Sequence, residues 1–182
     1  MGEQPHVVSV SSKPEPGVHK RPRPEVQLIA GRGVAGDYHA GEFVRHRSRV
    51  AKTPDLPNRR QVHLMHSELF DELAELGITV TPGDMGENIT TRGLAILDLA
   101  PGTLLHLGET AVIELTGCRN PCAQLNAVDA RLLEQVALKG ADGSIVRKAG
   151  VMAIVLEGGA VRLGDGIRVE VPAGATGRLE PI

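Results

Sequence analysis

From His6 to Val171 the chain is paced by short Val, Ile and Leu runs, among them "HVVSVSS", "EVQLIAG", "QVHLM", "ENITTRG", "TLLHLGE", "AVIELTG", "GVMAIVLEGG", "AVRLGDG" and "IRVEVP". Gly, Pro, Asp or Asn separates them. Ile167, Val169 and Val171 alternate with Arg168 and Glu170, the period-2 mark of a strand with one wet face. Short strands at this spacing predict a mostly-β fold: a closed or partly closed barrel or a sandwich, largely antiparallel. Aromatic residues are only 2% with no Trp, so the core must be built from Val, Leu, Ile and Ala. At 182 residues the expectation is one domain, 1–182, with its packed part over about 7–171 and a flexible tail at 172–182.

Two segments break the strand rhythm. "HSELFDELAELG" carries Leu69, Phe70, Leu73 and Leu76 at helical spacing, with Ser67 as N-cap and Gly77 as the stop. "NAVDARLLEQVALKG" repeats the design from Asn126 to Gly140, with Leu132, Leu133 and Val136 on one face. Both are expected as short helices covering a barrel opening. The stretch from Arg45 to Arg60 is basic, proline-containing and aperiodic in its second half; such long excursions are usually functional or mobile.

Charge and targeting narrow the function classes. Lys and Arg number 20 against 22 Asp and Glu, a formal net charge of -2, so no global basic field points to nucleic acid and any anion site must be local. The amino terminus lacks a basic stretch followed by an apolar run, and no window reaches the roughly 18 apolar residues of a membrane span. A cytoplasmic protein is expected, where a structural disulfide is disfavoured.

Both cysteines lie in "TGCRNPCAQLN", Thr116 to Asn126. Pro121 disfavours helical geometry at Asn120, so "CRNPC" is a turn. Cys122 falls just before the helix expected at Asn126 and close to Arg119, and both features favour a thiolate. That makes Cys122 a candidate nucleophile or soft metal ligand. Three other readings stand beside it: two small buried hydrophobes, a zinc site completed by some of the seven histidines, or a regulatory Cys118–Cys122 disulfide.

Three further clusters carry polar groups. "GRGVAGDYHAGEFVRHRSR" offers Asp37 and His39 as a polar pair; it has Rossmann glycine spacing but no helix-like segment follows. If "FVRHRSRV" is extended, Arg45, Arg47 and Arg49 share one face, suited to a dense anion or to a charged edge strand. In "TPGDMGENITTRGL", Glu87 and Asn88 crowd a turn where they can orient a ligand or hold a loop. "GSIVRKAGV" sets Arg147 beside Lys148 ahead of a buried-looking strand.

Taken in order, "GVAGDYHAG", "GDMGENITTRGL", "LHLGETAVIELTGCRNPCAQLN" and "RKAGVMAIVLEGGAVRLGDGIRV" resemble the MOSC domain family, named for the carboxy-terminal domain of molybdenum cofactor sulfurases, and above all its stand-alone bacterial members. The family's hallmark cysteine aligns with Cys122 in the Arg-x-Pro-Cys context of Arg119, Pro121 and Cys122, while Cys118 has no counterpart. The resemblance implies a β-barrel similar to the barrel domain of pyruvate kinase. It implies two jobs for Cys122. In relatives that bind the molybdenum cofactor, the thiolate ligates molybdenum and the enzyme reduces N-hydroxylated compounds. In the sulfurase context the cysteine carries sulfur as a persulfide toward a metal–sulfur centre, downstream of a pyridoxal-phosphate-dependent desulfurase. This chain has no recognisable pyridoxal-phosphate domain, so that desulfurase would be a separate partner.

On the cofactor reading, Arg45, Arg47, Arg49, Arg92, Arg119, Arg147 and Lys148 are the cations available to the pterin phosphate. Asp37, His39, Glu87, Asn88 and Asn120 complete the candidate site. A reductase would take a small-molecule substrate and draw electrons from a separate protein, since the sequence carries no flavin, haem or iron–sulfur signature. The expectation is therefore a molybdenum-cofactor-dependent oxidoreductase, with a persulfide carrier as the alternative. A non-catalytic module that stores or hands over cofactor stays open, as does the oligomeric state.

Overall fold

The computed structural model describes residues 4–45, 52–53 and 55–182. Its strands are β1 (His6–Ser12), β2 (Arg21–Arg23), β3 (Glu25–Ile29), β4 (Gly33–Val34), β5 (Val62–His66), β6 (Ile89–Arg92), β7 (Leu104–Leu107), β8 (Ala111–Cys118), β9 (Ala137–Lys139), β10 (Ile145–Arg147), β11 (Val151–Glu157), β12 (Gly159–Arg162) and β13 (Ile167–Glu170). Two α-helices are described, α1 (Glu68–Glu75) and α2 (Leu132–Val136). The mostly-β expectation holds.

The main sheet has eight strands in the order β13-β7-β8-β11-β5-β6-β1-β2. Every neighbour pair in it is antiparallel except β5 with β6, which run parallel. A three-stranded sheet, β12-β3-β4, packs against it, and β9 with β10 form a separate hairpin. Among the described residues no sheet closes on itself as a strand ladder. β1 meets the segment leading into β13 through a single His6–Gly166 bridge, flanked by Val7 N–H donating to Asp165 O at 2.8 Å.

Side-chain alternation explains the layers. In β3, Val26 and Leu28 point inward while Glu25, Gln27 and Ile29 are exposed. Central in the sheet, nearly all of β8 and nearly all of β11 from Val151 to Val155 are buried, as strands covered on both faces must be, while Leu156 and Glu157 at the end of β11 are exposed. In β13 the alternation runs as read from Ile167 to Glu170, but Val171 lies beyond the strand and is 54% exposed.

A second core lies outside the sheet. Met65, Leu69, Phe70, Leu73, Leu125, Leu132 and Val136 pack together there, joining α1, α2 and the turn after Cys122. Each fully buried Leu is worth about 1.5–3 kcal/mol, and Leu125 is the residue by which this cluster anchors the cysteine turn. The exposed Arg131 adds direction: it pairs with Asp129 and donates to the Leu76 and Gly77 carbonyls at the end of α1.

α1 begins and ends where the sequence predicts, with differences in detail. Ser67 sits at the cap position but makes no side-chain cap bond; its hydroxyl accepts from Arg92 Nη1 at 3.1 Å. Leu76, read onto the apolar face, is 53% exposed because Gly77 has already turned the chain away. The second helix departs further. A 3-10 turn covers Ala123–Ala127, α2 spans only Leu132–Val136, and the residues expected to continue the helix form β9. The "GADGS" turn decides this: Asp142 Oδ1 accepts from Ser144 N–H at 3.0 Å and Gly143 takes positive φ, closing the hairpin onto β10. The carboxyl-terminal residues, expected as a loose tail, return to β8: Cys118 N–H donates to Glu180 O at 2.9 Å. Among the described residues no helix is long and apolar enough to cross a membrane.

Gly150 marks the tightest approach of β11 to β5. A Cβ added there would collide with the Leu64 carbonyl oxygen and lie 2.5 Å from Met65 Sδ, and the residue's φ is +87°. Gly150→Ala should therefore cost upwards of about 3 kcal/mol in urea unfolding. A variant with the wild-type midpoint would show that the two strands can separate without penalty.

Candidate functional site

The polar framework of the site converges on Asp37. Its carboxylate accepts from Lys13 N–H (3.2 Å), His39 N–H (3.0 Å) and Asn88 Nδ2 (3.2 Å), and pairs with Lys20 Nζ at 3.0 Å. His39 Nδ1 stands 3.5 Å away. Burial alone would raise the Asp37 carboxyl, but the His39 bonds and the Lys20 charge outweigh it and hold the group well below the usual carboxylate range. Burial lowers Lys20 from its ordinary value, against the pull of Asp37. Asn88 is a second tie: its Oδ1 accepts from His63 N–H at 3.1 Å and its Nδ2 also donates to Ser11 O. Four chain segments thus meet around one buried ion pair.

Above this framework opens a cavity of about 400 Å³. Cys122 is exposed at its wall, at the start of the 3-10 turn. The long helix expected behind the thiol is replaced by that five-residue turn, so Arg119 is the principal positive charge beside it. Arg119 is only 8% exposed; its guanidinium donates to Met85 O, while Cys122 Sγ contacts Gln124 Oε1 at 3.8 Å. Burial works against the Arg119 charge, while Cys122 and Glu87 work for it. Glu87, fully buried, accepts from Gly83 N–H at 2.6 Å and from Thr90 Oγ1 at 3.1 Å, and burial raises its carboxyl. His63 lines the cavity from β5, with Nε2 donating to Ala149 O at 2.8 Å. Burial, reinforced by the charges of Arg119 and Lys20, pushes its ring well below the usual histidine range, so it is neutral.

The sequence profile of the MOSC domain matches residues 36–168, more than half of the chain and a span that holds Asp37, Arg119 and Cys122. The chain belongs to the MOSC domain family. No curated protein matches it. Among solved structures, this MOSC protein is similar to the YuaD protein of Bacillus subtilis, with a TM-score of 0.74 at 22% identity over 94% of this chain and 100% of the other. It is also similar to YiiM of Geobacillus stearothermophilus (TM-score 0.68, 23% identity, 94% of this chain and 78% of the other). YiiM of Escherichia coli gives 0.61 at 20% identity over 97% and 73%. At these identities the likeness concerns the fold.

The MOSC fold brings together some of the residues singled out from sequence and separates others. Cys122, Arg119, Asn120, His39, Arg45 and Asn88 line the cavity. Asp37 and Glu87 lie beneath it as supports, so Glu87 holds a loop. Arg147 stands one bond outside, its Nε donating to Asn120 Oδ1 at 3.1 Å. Arg92 and Lys148 are engaged with α1, at Asp71 and Glu72 respectively, and are not brought to the cavity. Arg47 and Arg49 lie outside the described residues. Cys118 is 6% exposed within the main core, and burial raises its thiol; neither cysteine is in a disulfide. Among the described residues, no group of three or more His, Cys, Asp and Glu is arranged to hold a metal ion.

Lys20, Asn58, Arg60 and His63 were missed by the sequence reading yet line the cavity. His63 left a signal, a histidine inside the apolar run "QVHLM"; Lys20, lost in the basic "HKRPRP", left none.

Removing one partner of a buried ion pair strands the other, at about 3–5 kcal/mol. Lys20→Met should therefore destabilise by that amount in urea unfolding, and Lys20→Met/Asp37→Leu by clearly less than the two single changes added. Because folding depresses Asp37, its contribution is complete above the ordinary value of 3.8 and is lost as pH falls toward the folded value. Asp37→Asn should accordingly flatten the stability profile below about pH 4.

Proposed function

We propose that this MOSC protein binds a molybdenum cofactor in the cavity and reduces N-hydroxylated small molecules, with the Cys122 thiolate as the molybdenum ligand. The observation that carries the reading is the exposed Cys122 sulfur on a cavity of about 400 Å³ walled by Arg45, Arg60, Arg119 and Lys20. That volume lies in the range of small-molecule sites, about 300–1,000 Å³. The donor set fits the group: one soft sulfur for the metal, and guanidiniums whose forked geometry suits phosphate. When bound, the cofactor supplies a redox-active metal next to which an N–O bond can be reduced. In the net reaction a hydroxylamine R–NHOH takes up two electrons and two protons and leaves as R–NH2 and water.

The chain's own residues divide the remaining work. Cys122 would hold the metal, with the buried Arg119 guanidinium beside it, and Arg45 and Arg60 would meet the phosphate. His39, which lines the cavity with its Nδ1 3.5 Å from Asp37, is the residue assigned as proton carrier. Val44 and Met152 supply apolar wall that excludes water. We also read the eight-stranded sheet as a barrel whose closure runs through β1 and the segment before β13, a reading supported by the His6–Gly166 bridge.

The persulfide-carrier reading draws on the same exposed sulfur, which a partner desulfurase could reach. It has no use for the cationic cavity behind that sulfur, and for this reason it ranks second. Metal analysis of protein from a molybdenum-replete, cofactor-competent host separates the two. Wild type and Cys118→Ala should hold near-stoichiometric molybdenum and reduce hydroxylamines, whereas Cys122→Ser should lose the metal and the turnover together. Metal-free wild type bearing cyanide-releasable sulfur on Cys122 would favour the carrier.

A further inference from the structure

The loop between β1 and β2 has two working sides. Pro16, Gly17, Val18 and Lys20 face the cavity, while Lys13, Glu15 and His19 line a second hollow of about 300 Å³ on the outer side. Arg21 and Arg23 of β2 complete that hollow, in which Glu15 is the sole lining carboxylate. The three cations are short of counter-charge. Arg23 Nε reaches only the Ser12 hydroxyl, at 3.2 Å, and no carboxylate pairs with Lys13, Arg21 or Arg23 among the described residues. Elsewhere Arg32, Arg92, Arg131, Lys148, Arg162 and Arg168 each hold a carboxylate, while among the described residues Arg59, Lys139, Arg147 and Arg178 do not, so what sets this edge apart is the grouping of three such cations in one hollow. A chain of net charge -2 has thus left one concave edge positive, and that edge backs onto the loop that walls the candidate site.

β2 is the outermost strand of the eight-stranded sheet and all three of its residues are exposed. Charge and proline on an edge strand guard against aggregation. That duty accounts for Arg21-Pro22-Arg23. It does not call for a hollow, nor for Lys13, which lies in the loop outside the strand.

We propose that this β1–β2 edge is the docking surface for the acidic face of a separate electron-carrying protein. The inference rests on the reductase reading above, whose reaction consumes two electrons that the chain has no flavin, haem or iron–sulfur signature to supply. The carrier docks reduced, gives up one electron per visit and leaves oxidised by one, so two visits serve each R–NHOH. Unpaired cations steer such a partner and set its orientation more than they add affinity, and salt weakens the effect.

The test uses full-length, cofactor-loaded protein and two reductants: a reduced flavodoxin, which is a small acidic protein, and the methyl viologen radical, which needs no docking surface. Arg21→Glu/Arg23→Glu should raise the Kd for flavodoxin at low ionic strength at least ~10-fold and lower flavodoxin-driven turnover to match. Viologen-driven turnover should stay at the wild-type level, and the two proteins should converge in flavodoxin affinity as salt rises. The milder Lys13→Gln/Arg21→Gln, which keeps the Arg23–Ser12 bond, should show a smaller loss of the same kind.

Equal flavodoxin affinity in wild type and variant would overturn the proposal. So would an equal loss in Arg162→Glu/Arg168→Glu, which would trace the effect to net charge. Pyrophosphate binding that competes with flavodoxin and depends on Arg21 and Arg23 would assign the hollow to small anions and overturn it too. If viologen drives no turnover, the reductase reading fails, and the flavodoxin binding measurements still judge the docking surface.

Discussion

The Lys20–Asp37 ion pair is the interaction on which the site depends. Both side chains are almost wholly buried, and each carboxylate oxygen has a donor besides lysine: His39 N–H on one, Lys13 N–H and Asn88 on the other. Taking two charges out of water is expensive, and such a pair is a weak source of net stability. Its effect is geometric. A structure in which Lys20 and Asp37 did not meet would leave a charge buried without a partner, so the β1–β2 loop, the "GDYH" segment and the start of β6 are held in one arrangement. The cavity wall is the outer surface of that arrangement.

Cys118 and Cys122 lie four positions apart and have opposite surroundings. Cys118 ends β8, where its side chain packs into the main core and its backbone pairs with the returning carboxyl-terminal segment. Cys122 follows a proline turn that carries it out of the sheet to the cavity wall, with Leu125 anchored in the second core to hold the turn down. Arg119 bridges the two environments, its backbone N–H bonded to Gly150 O just before β11 and its guanidinium buried near Cys122. A buried guanidinium costs most when its partners are missing, and here Met85 O accepts from it while Glu87 and Cys122 favour its charge.

Much of this was legible in the sequence. Strand rhythm located most of the sheet, because alternation reports which face is wet. α1 was legible because four apolar residues recur at helical spacing between a cap and a glycine. Arg119, Pro121 and Cys122 could be read as a reactive turn, since proline geometry and a neighbouring cation act locally. The second helix was misread because "LLEQVALKG" has helical periodicity, while the Asp142–Gly143 turn that overrides it depends on β10 pairing back onto β9. Arg92 and Lys148 were counted among the cofactor cations because sequence shows charge and not direction; the fold turns both toward carboxylates of α1.

By itself the sequence determined the mostly-β character and the place of α1, consequences of local spacing and residue type, and its motifs in order carried the family resemblance and singled out Cys122 as a candidate. Tertiary structure alone decided which cations face Cys122, that Lys20 and Asp37 find each other 17 residues apart, and that the chain's last residues come back to β8. The reason is physical. A residue's spacing is written in its neighbours along the chain, whereas its electrostatic partner is chosen by which surfaces the core brings together.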